Sequence, residues 1–215
     1  MELLDPKAFI ITRKRKKYKF ALFHNSSLCF EFDEWDKATS VDVVEIGAGN
    51  AHFLVKLASR HPEQQFVALD VKADRLQSGA RKAEEQGLTN IRFLRARADQ
   101  VGELFAPHSL AAIWLTFSDP FPRARSAGRR MSHPNFLKKY AEVLRPEGSL
   151  LIKHDNRDFF CWSLEQLVAE KWQLIELSFD LHESSLVEDY KILTAYEARW
   201  LDEGLTTHFV RAQAG

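Results

Sequence analysis

Short apolar runs alternate with amphipathic stretches along most of the chain. Val41–Ile46 is almost continuously apolar and predicts a strand, and Ala51–Ser59 carries helical spacing. Gln65–Leu69 predicts a second strand ending at Asp70, and Lys72–Gln86 predicts a charged amphipathic helix stopped by Gly87. Ile91–Leu94 and Leu110–Phe117 predict the third and fourth strands. Ser132-His133-Pro134 opens a helix that runs through Leu144 and ends at Pro146 and Gly148. A strand at Leu150–Lys153, a helix at Phe159–Ala169 and strands at Trp172–Phe179 and Thr207–Val210 complete the pattern. Such alternation predicts the α/β class: a doubly wound, Rossmann-like, seven-stranded mixed sheet. The last strand follows a long polar connection instead of a crossover helix, so it is expected to run antiparallel.

Residues 1–40 precede the first strong strand and read as a basic N-terminal arm, leaving 41–215 as one domain. A chain of 215 residues is long enough to bury a substantial core. Apolar residues make up 45% and charged residues 28%, an ordinary balance for a globular protein. No apolar run approaches the roughly 18 to 20 residues that span a bilayer, and residues 1–19 lack a signal-peptide pattern, so a cytoplasmic location is expected. Cys29 and Cys161 form no CxxC pair and read as packing residues, with neither a disulfide framework nor a metal site expected.

The formal net charge is zero, yet the bases are clustered. Six of the seven residues from Arg13 to Lys19 are basic, and Arg123, Arg125, Arg129 and Arg130 form a second group. Basic patches on a neutral protein fit a polyanion met on one face; a solvated tail and a solubilising loop are the plain alternatives.

Two stretches carry candidate chemistry. In the first, V-E-I-G-A-G-N-A, a strand enters a glycine turn at Gly47 and Gly49. The position three beyond Gly49 is His52, not the glycine of a dinucleotide fingerprint, and Glu45 stands directly before the turn. A carboxylate there suits an ammonium better than a pyrophosphate. Asp70, about 20 residues on, fits a ribose diol or an N-cap. Together these features point to S-adenosylmethionine, a nucleoside without phosphates that bears an amino-acid tail. In the second stretch, Phe117 to Arg130, a strand end delivers Asp119 in front of two prolines and four arginines, with no acidic residue among the arginines.

At these residues the chain resembles the bacterial single-chain tRNA (guanine-N7-)-methyltransferases. The resemblance rests on V-E-I-G-A-G, S-D-P-F-P-R-A-R, R-R-M-S-H-P-N-F-L-K-K-Y, L-R-P-E-G-S-L with K-H-D-N-R behind it, S-F-D-L-H and T-A-Y-E-A-R-W, in order over residues 41–213. It implies a class I methyltransferase fold, S-adenosylmethionine as cofactor, tRNA as partner and a guanosine of the variable loop as target. It also implies that Glu45 and Gly47 contact the methionine part and Asp70 the ribose, with Asp119 between cofactor and base as the catalytic residue. Arg123, Asp155, Thr194 and Glu197 fall at substrate-binding positions. The resemblance leaves monomer and homodimer both open.

Four positions depart from the family pattern. Ala51 replaces a third glycine, Phe121 a tryptophan, Ser126 a histidine, and Arg97 the acidic residue that contacts adenine. Asp99, two residues beyond Arg97, would lie on the same face of an extended chain and is carried as the replacement cofactor contact. Plainer roles stand beside these. Asp119 can start a turn, Thr194 and Glu197 can form a capping box, and Asp155 can cap a helix. His133 reads as structural, and His154 is a weaker catalytic candidate than Asp155. Trp162, Trp172 and Trp200 read as core. A methyltransferase with another substrate, or a non-catalytic tRNA-binding or assembly protein with a degenerate pocket, are the competing functions.

Overall fold

The sheet is built outward from a pair of strands that are apolar on both faces except at Glu45 and Thr116. In the computed structural model, which describes residues 14–194, 196–198 and 204–215, these strands are β2 (Val43–Ile46) and β5 (Leu110–Thr116). Around them lie β1 (Cys29–Glu31), β3 (Phe66–Asp70), β4 (Ile91–Arg95), β6 (Leu144–His154), β7 (Gln173–Ser178) and β8 (His208–Gln213). The helices are α1 (Lys14–Asn25), α2 (His52–Arg60), α3 (Ala73–Glu85), α4 (Val101–Leu104), α5 (Pro134–Val143) and α6 (Arg157–Ala169). Arg13 of the basic cluster and Trp200 lie outside the described residues.

Strand order is β1-β4-β3-β2-β5-β6-β8-β7. Strands β1 to β6 pair in parallel, whereas β8 runs antiparallel to both β6 and β7. The mixed doubly wound sheet and the antiparallel last strand are as expected from the sequence. The strand count differs: the described residues form eight strands rather than seven. The additional strand, β1, is three residues long, too short to show alternation, and it lies within the segment read as an arm. Its register sets Glu31 opposite Arg95, and the two side chains pair at 3.1 Å.

Because successive strand residues face opposite ways, each side of the sheet has its own core. Val44, Ile46, Ile113 and Leu115 pack under Leu137, Tyr140 and Phe160 from α5 and α6. On the other side Val43, Phe93 and Trp114 pack under Phe23, Phe53, Leu54 and Leu76 from α1, α2 and α3. The basic helix α1 is thus seated by Ala21 and Phe23, both buried. Chain order reverses between β2 and β5, so their carboxyl ends flank the crevice where open α/β sheets bind ligands.

One contact fixes the floor of that crevice. Gly79 of α3 lies so near the turn after β2 that a Cβ there would sit 2.7 Å from the Asn50 carbonyl oxygen and 2.7 Å from Phe93. In an exposed helix interior, alanine stabilises by about 1 kcal/mol over glycine. Here Gly79→Ala is expected to destabilise by about 1–3 kcal/mol, the cost of overpacking. The midpoint of urea unfolding checks the sign, and a higher midpoint would show that α3 moves freely off the turn.

Candidate functional site

The turn after β2 is closed by its own neighbours. Gly47 and Gly49 adopt φ values of 76° and 56°, where glycine has no Cβ penalty. The Gly47 and Ala48 amides donate to Leu69 O at 2.8 and 3.1 Å, and the Gly49 amide donates to Asp70 Oδ2 at 2.8 Å. Asp70 Oδ1 accepts from the Lys72 amide at 2.8 Å, so Asp70 ties the turn to the start of α3 and keeps only its remaining lone pairs for a ligand. Ala51, at the family's third glycine, holds φ 51° at the N-cap of α2. An L-residue there costs about 1–2 kcal/mol, so this departure is larger than the side-chain difference suggests.

Two cavities open over the turn. One, of about 550 Å³, is lined by Glu45, His52, Thr116, Thr194 and Tyr196 among others. The other, of about 170 Å³, is lined by Asp70, Lys72, Ala96, Ala98 and Met131 among others. Gly47, Arg75, Phe117 and Asp119 belong to both walls. Asp119 is exposed and makes no hydrogen bond or ion pair among the described residues. Phe117 and Phe121 on either side hold φ 48° and 40°, a strained backbone that the surroundings must enforce. His154 provides part of that enforcement, because its Nε2 meets Ser118 O at 2.9 Å while its Nδ1 accepts from the Asn156 amide. His154 is therefore a clamp on the Asp119 loop.

The site carries a buried acid. Glu45 is buried, and its Oε1 accepts from Thr116 Oγ1 at 2.5 Å, while its Oε2 has no partner. Burial raises its carboxyl from about 4.5 to about 8, with Thr116 and Lys153 opposing. Glu45 is on the wall of the larger cavity, and an incoming ammonium would favour its ionised form and give the orphaned oxygen a partner.

Behind the wall, Lys153 has no exposed side-chain surface. Its ammonium donates to Glu197 Oε2 at 2.9 Å and Ile192 O at 3.0 Å, and burial lowers its pKa. Glu197 also accepts from His182, Thr207 Oγ1 and the Thr194 amide at 2.8, 3.0 and 3.1 Å. With Thr194 Oγ1 accepting from the Glu197 amide at 2.9 Å, the two form the capping box. Glu197 thus lies outside both cavity walls with its carboxylate occupied, whereas Thr194 stays on the wall.

Other expected residues fall differently. Asp155 is not the cap of α6. Asn156 is, accepting from the Phe159 amide at 2.8 Å, and Asp155 instead accepts from the Tyr196 hydroxyl at 3.1 Å. His133 caps α5, consistent with a structural role. The chain at Ala98–Gln100 forms a 3-10 turn instead of extending, so Asp99 does not replace the acid missing at Arg97 by sharing its face. Arg97 grips Asp99 through two nitrogens and holds its carboxyl below the usual range, and the cavity wall there is Ala96 and Ala98.

Arg123 and Arg125 are exposed and without partners among the described residues, away from the cavity walls. Arg129 stacks on Phe121 at 4.3 Å; Arg130 stacks on Trp162 at 4.3 Å and donates to Phe121 O. Trp162, expected in the core, is half-buried under that arginine, while Trp172 is buried. Sequence reasoning missed Thr116, Lys153, Tyr196 and Arg75. The only signal for Lys153 was a lysine closing the apolar run L-L-I-K.

Comparison with known proteins adds three observations. The chain matches the family described as "Putative methyltransferase" over residues 39–210. It is 39% identical to a tRNA (guanine-N(7)-)-methyltransferase of Brevibacillus brevis, over 79% of this chain and 78% of that one, and 38% identical to one of Mycoplasmopsis agalactiae, over 80% and 83%. Among solved structures it resembles the 16S rRNA methyltransferase KamB (TM-score 0.62, 19% identity, 85% of this chain and 90% of that one). It likewise resembles a SAM-dependent methyltransferase of Aquifex aeolicus (TM-score 0.57, 15% identity, 85% and 87%). Both structural likenesses speak for the fold.

The state of Glu45 makes a prediction that needs no ligand. Its folded pKa is raised above its unfolded value. The stability it contributes is therefore fully present below about pH 4.5 and is lost as pH rises toward about 8. Glu45→Gln keeps the Thr116 bond without the charge. Urea unfolding at pH 5.5 and 8 should show the variant gaining on the wild type at the higher pH; an equal gap at both would mean that Glu45 is ionised in the fold.

Proposed function

The chain belongs to this methyltransferase family, and on that premise we propose that it transfers a methyl group from S-adenosylmethionine to N7 of a guanosine in tRNA. The carrying observation is the unpaired carboxylate of Asp119, which stands on the walls of both cavities at once. The smaller cavity, with Asp70 on its wall, suits the nucleoside. The larger, with the orphaned Glu45 oxygen, suits the cationic amino-acid end and the target base beyond it.

When bound, the cofactor supplies an electrophilic sulfonium methyl. Guanine N7 has an in-plane lone pair and no proton, so the chain needs no obligatory base. Its work is to hold the purine in line and to stabilise the positive charge that develops on it. Asp119 answers the second need, since a fixed carboxylate attracts a cationic ring. Glu45, Gly47 and Asp70 bind the cofactor. Thr194 and Asp155, the latter through Tyr196, orient the base, and Glu197 acts as a positioning residue that sets Thr194. Arg123 and Arg125 reach for backbone phosphates, which gives affinity without sequence information.

The competing picture of a binding protein with a degenerate pocket drew its support from Arg97. That residue lies outside both cavity walls and is paired with Asp99, so its cation does not obstruct the pocket.

Incubation with unmodified tRNA and labelled cofactor, followed by nucleoside mass spectrometry, should yield 7-methylguanosine; a different methylated nucleoside would refute the substrate assignment. Asp119→Ala should lower kcat by about a hundredfold or more with little change in tRNA affinity. Loss of folding instead would make the residue structural.

The arginines divide by their contacts. Replacing both Arg123 and Arg125 by Ala should weaken tRNA binding and reduce the slope of log K against log salt by up to about two. Filter binding across a salt series measures this, and an unchanged slope would leave those arginines as surface charge.

A further inference from the structure

The amino-acid tail of S-adenosylmethionine carries an ammonium and a carboxylate on one carbon, and a site that holds it must meet both. This inference rests on the cofactor reading above. Glu45 meets the cation. The anion is harder to place, because the charged side chains on the wall of the larger cavity are Glu45, Asp119 and Arg75, two acids and one base. His52 adds no charge near neutral pH, since burial holds its imidazole below its ordinary value, with Lys82 and Lys56 acting in the same direction.

The usual cradle for an anion in such folds is a set of free loop amides. Here four of them are taken. Gly47 and Ala48 donate to Leu69 O, Gly49 to Asp70, and Ala51 to Ala48 O at 2.7 Å. A carboxylate left to the remaining side chains of the wall would face Asp119 and, once the incoming ammonium has ionised it, Glu45.

Arg75 stands in the first turn of α3, exposed, and its side chain makes no hydrogen bond or ion pair among the described residues. Its guanidinium leans over the turn: Nη1 lies 3.8 Å from where a Cβ on Gly49 would be, and the side chain borders both cavities. We propose that Arg75 is a cofactor-binding residue that takes the carboxylate of the amino-acid tail, opposite the ammonium held by Glu45. Its guanidinium fork matches a carboxylate through two parallel bonds. A tRNA phosphate is the other anion within its reach, and it is an outcome of the test.

Two ligands separate these possibilities. S-adenosylhomocysteine has the amino-acid tail, and 5′-methylthioadenosine has the same nucleoside thioether without it. Calorimetric titration of the full chain with each should show Arg75→Gln raising the Kd for S-adenosylhomocysteine by about tenfold or more while leaving 5′-methylthioadenosine unchanged. Arg75→Lys should fall between wild type and Gln. Equal weakening of both ligands would overturn the proposal, as would unchanged S-adenosylhomocysteine affinity with weaker tRNA binding, which would assign Arg75 to a phosphate. If the wild type itself fails to bind S-adenosylhomocysteine, the methyltransferase reading falls, and that result is distinct from a failure at Arg75 alone.

Discussion

A lysine with no access to water is tolerated only when its charge is matched on the spot, and the Lys153–Glu197 pair is the constraint around which the far side of the cavity is organised. Removing one partner of such a pair strands a buried charge and costs about 3–5 kcal/mol. Lys153 is the penultimate residue of β6, and Glu197 belongs to the segment that carries Thr194 and Tyr196. Through His182 and Thr207 the same carboxylate gathers the chain after β7 and the approach to β8. The wall that would meet a base is thus pinned to the sheet through charge, at a depth where solvent does not screen the pair. Lys153 also opposes the effect of burial on Glu45, so one cation acts on both Glu45 and Glu197.

Much of this was legible in the sequence. Continuous apolar runs mark strands buried on both faces, and β2 through β6 are of that kind, which is why their positions and the doubly wound order could be anticipated. Glu45, Gly47, Asp70 and Asp119 were visible because they lie at or within three residues of the carboxyl ends of strands, where the chain turns toward the crevice. What was hidden depends on contacts distant in sequence. A three-residue strand such as β1 has no period to detect. The fate of Asp99 depended on whether two residues beyond Arg97 are extended or turned, and the Gln100 side chain accepting from the Arg97 amide closes the turn. The family resemblance put Glu197 at a substrate-binding position, and its spacing from Thr194 a capping box; in the fold its carboxylate accepts from Lys153, His182, Thr207 and the Thr194 amide.

The arginine stretch shows how similar residues divide their work. Arg129 and Arg130 spend their cations on Phe121 and Trp162, where stacking on an aromatic face is worth about 0.5–2 kcal/mol. They stiffen the turn that presents Asp119 between two left-handed residues. Arg123 and Arg125 are left to solvent. Phe121, which stands where the family pattern has tryptophan, is the aromatic platform for Arg129.

The position of β8 sets an order of events during synthesis. It lies between β6 and β7, so β7 leaves the ribosome before its strand partner exists. In the finished sheet β7 still leaves Leu174, Ile175 and Leu177 exposed, and before β8 arrives it has in addition two unsatisfied edges. Thr207, one residue ahead of β8, is also among the last donors to reach Glu197. The nascent chain can therefore settle its glycine turn early, while the wall opposite must wait for β8, and the interval is the period in which an unpaired apolar strand is most open to wrong partners.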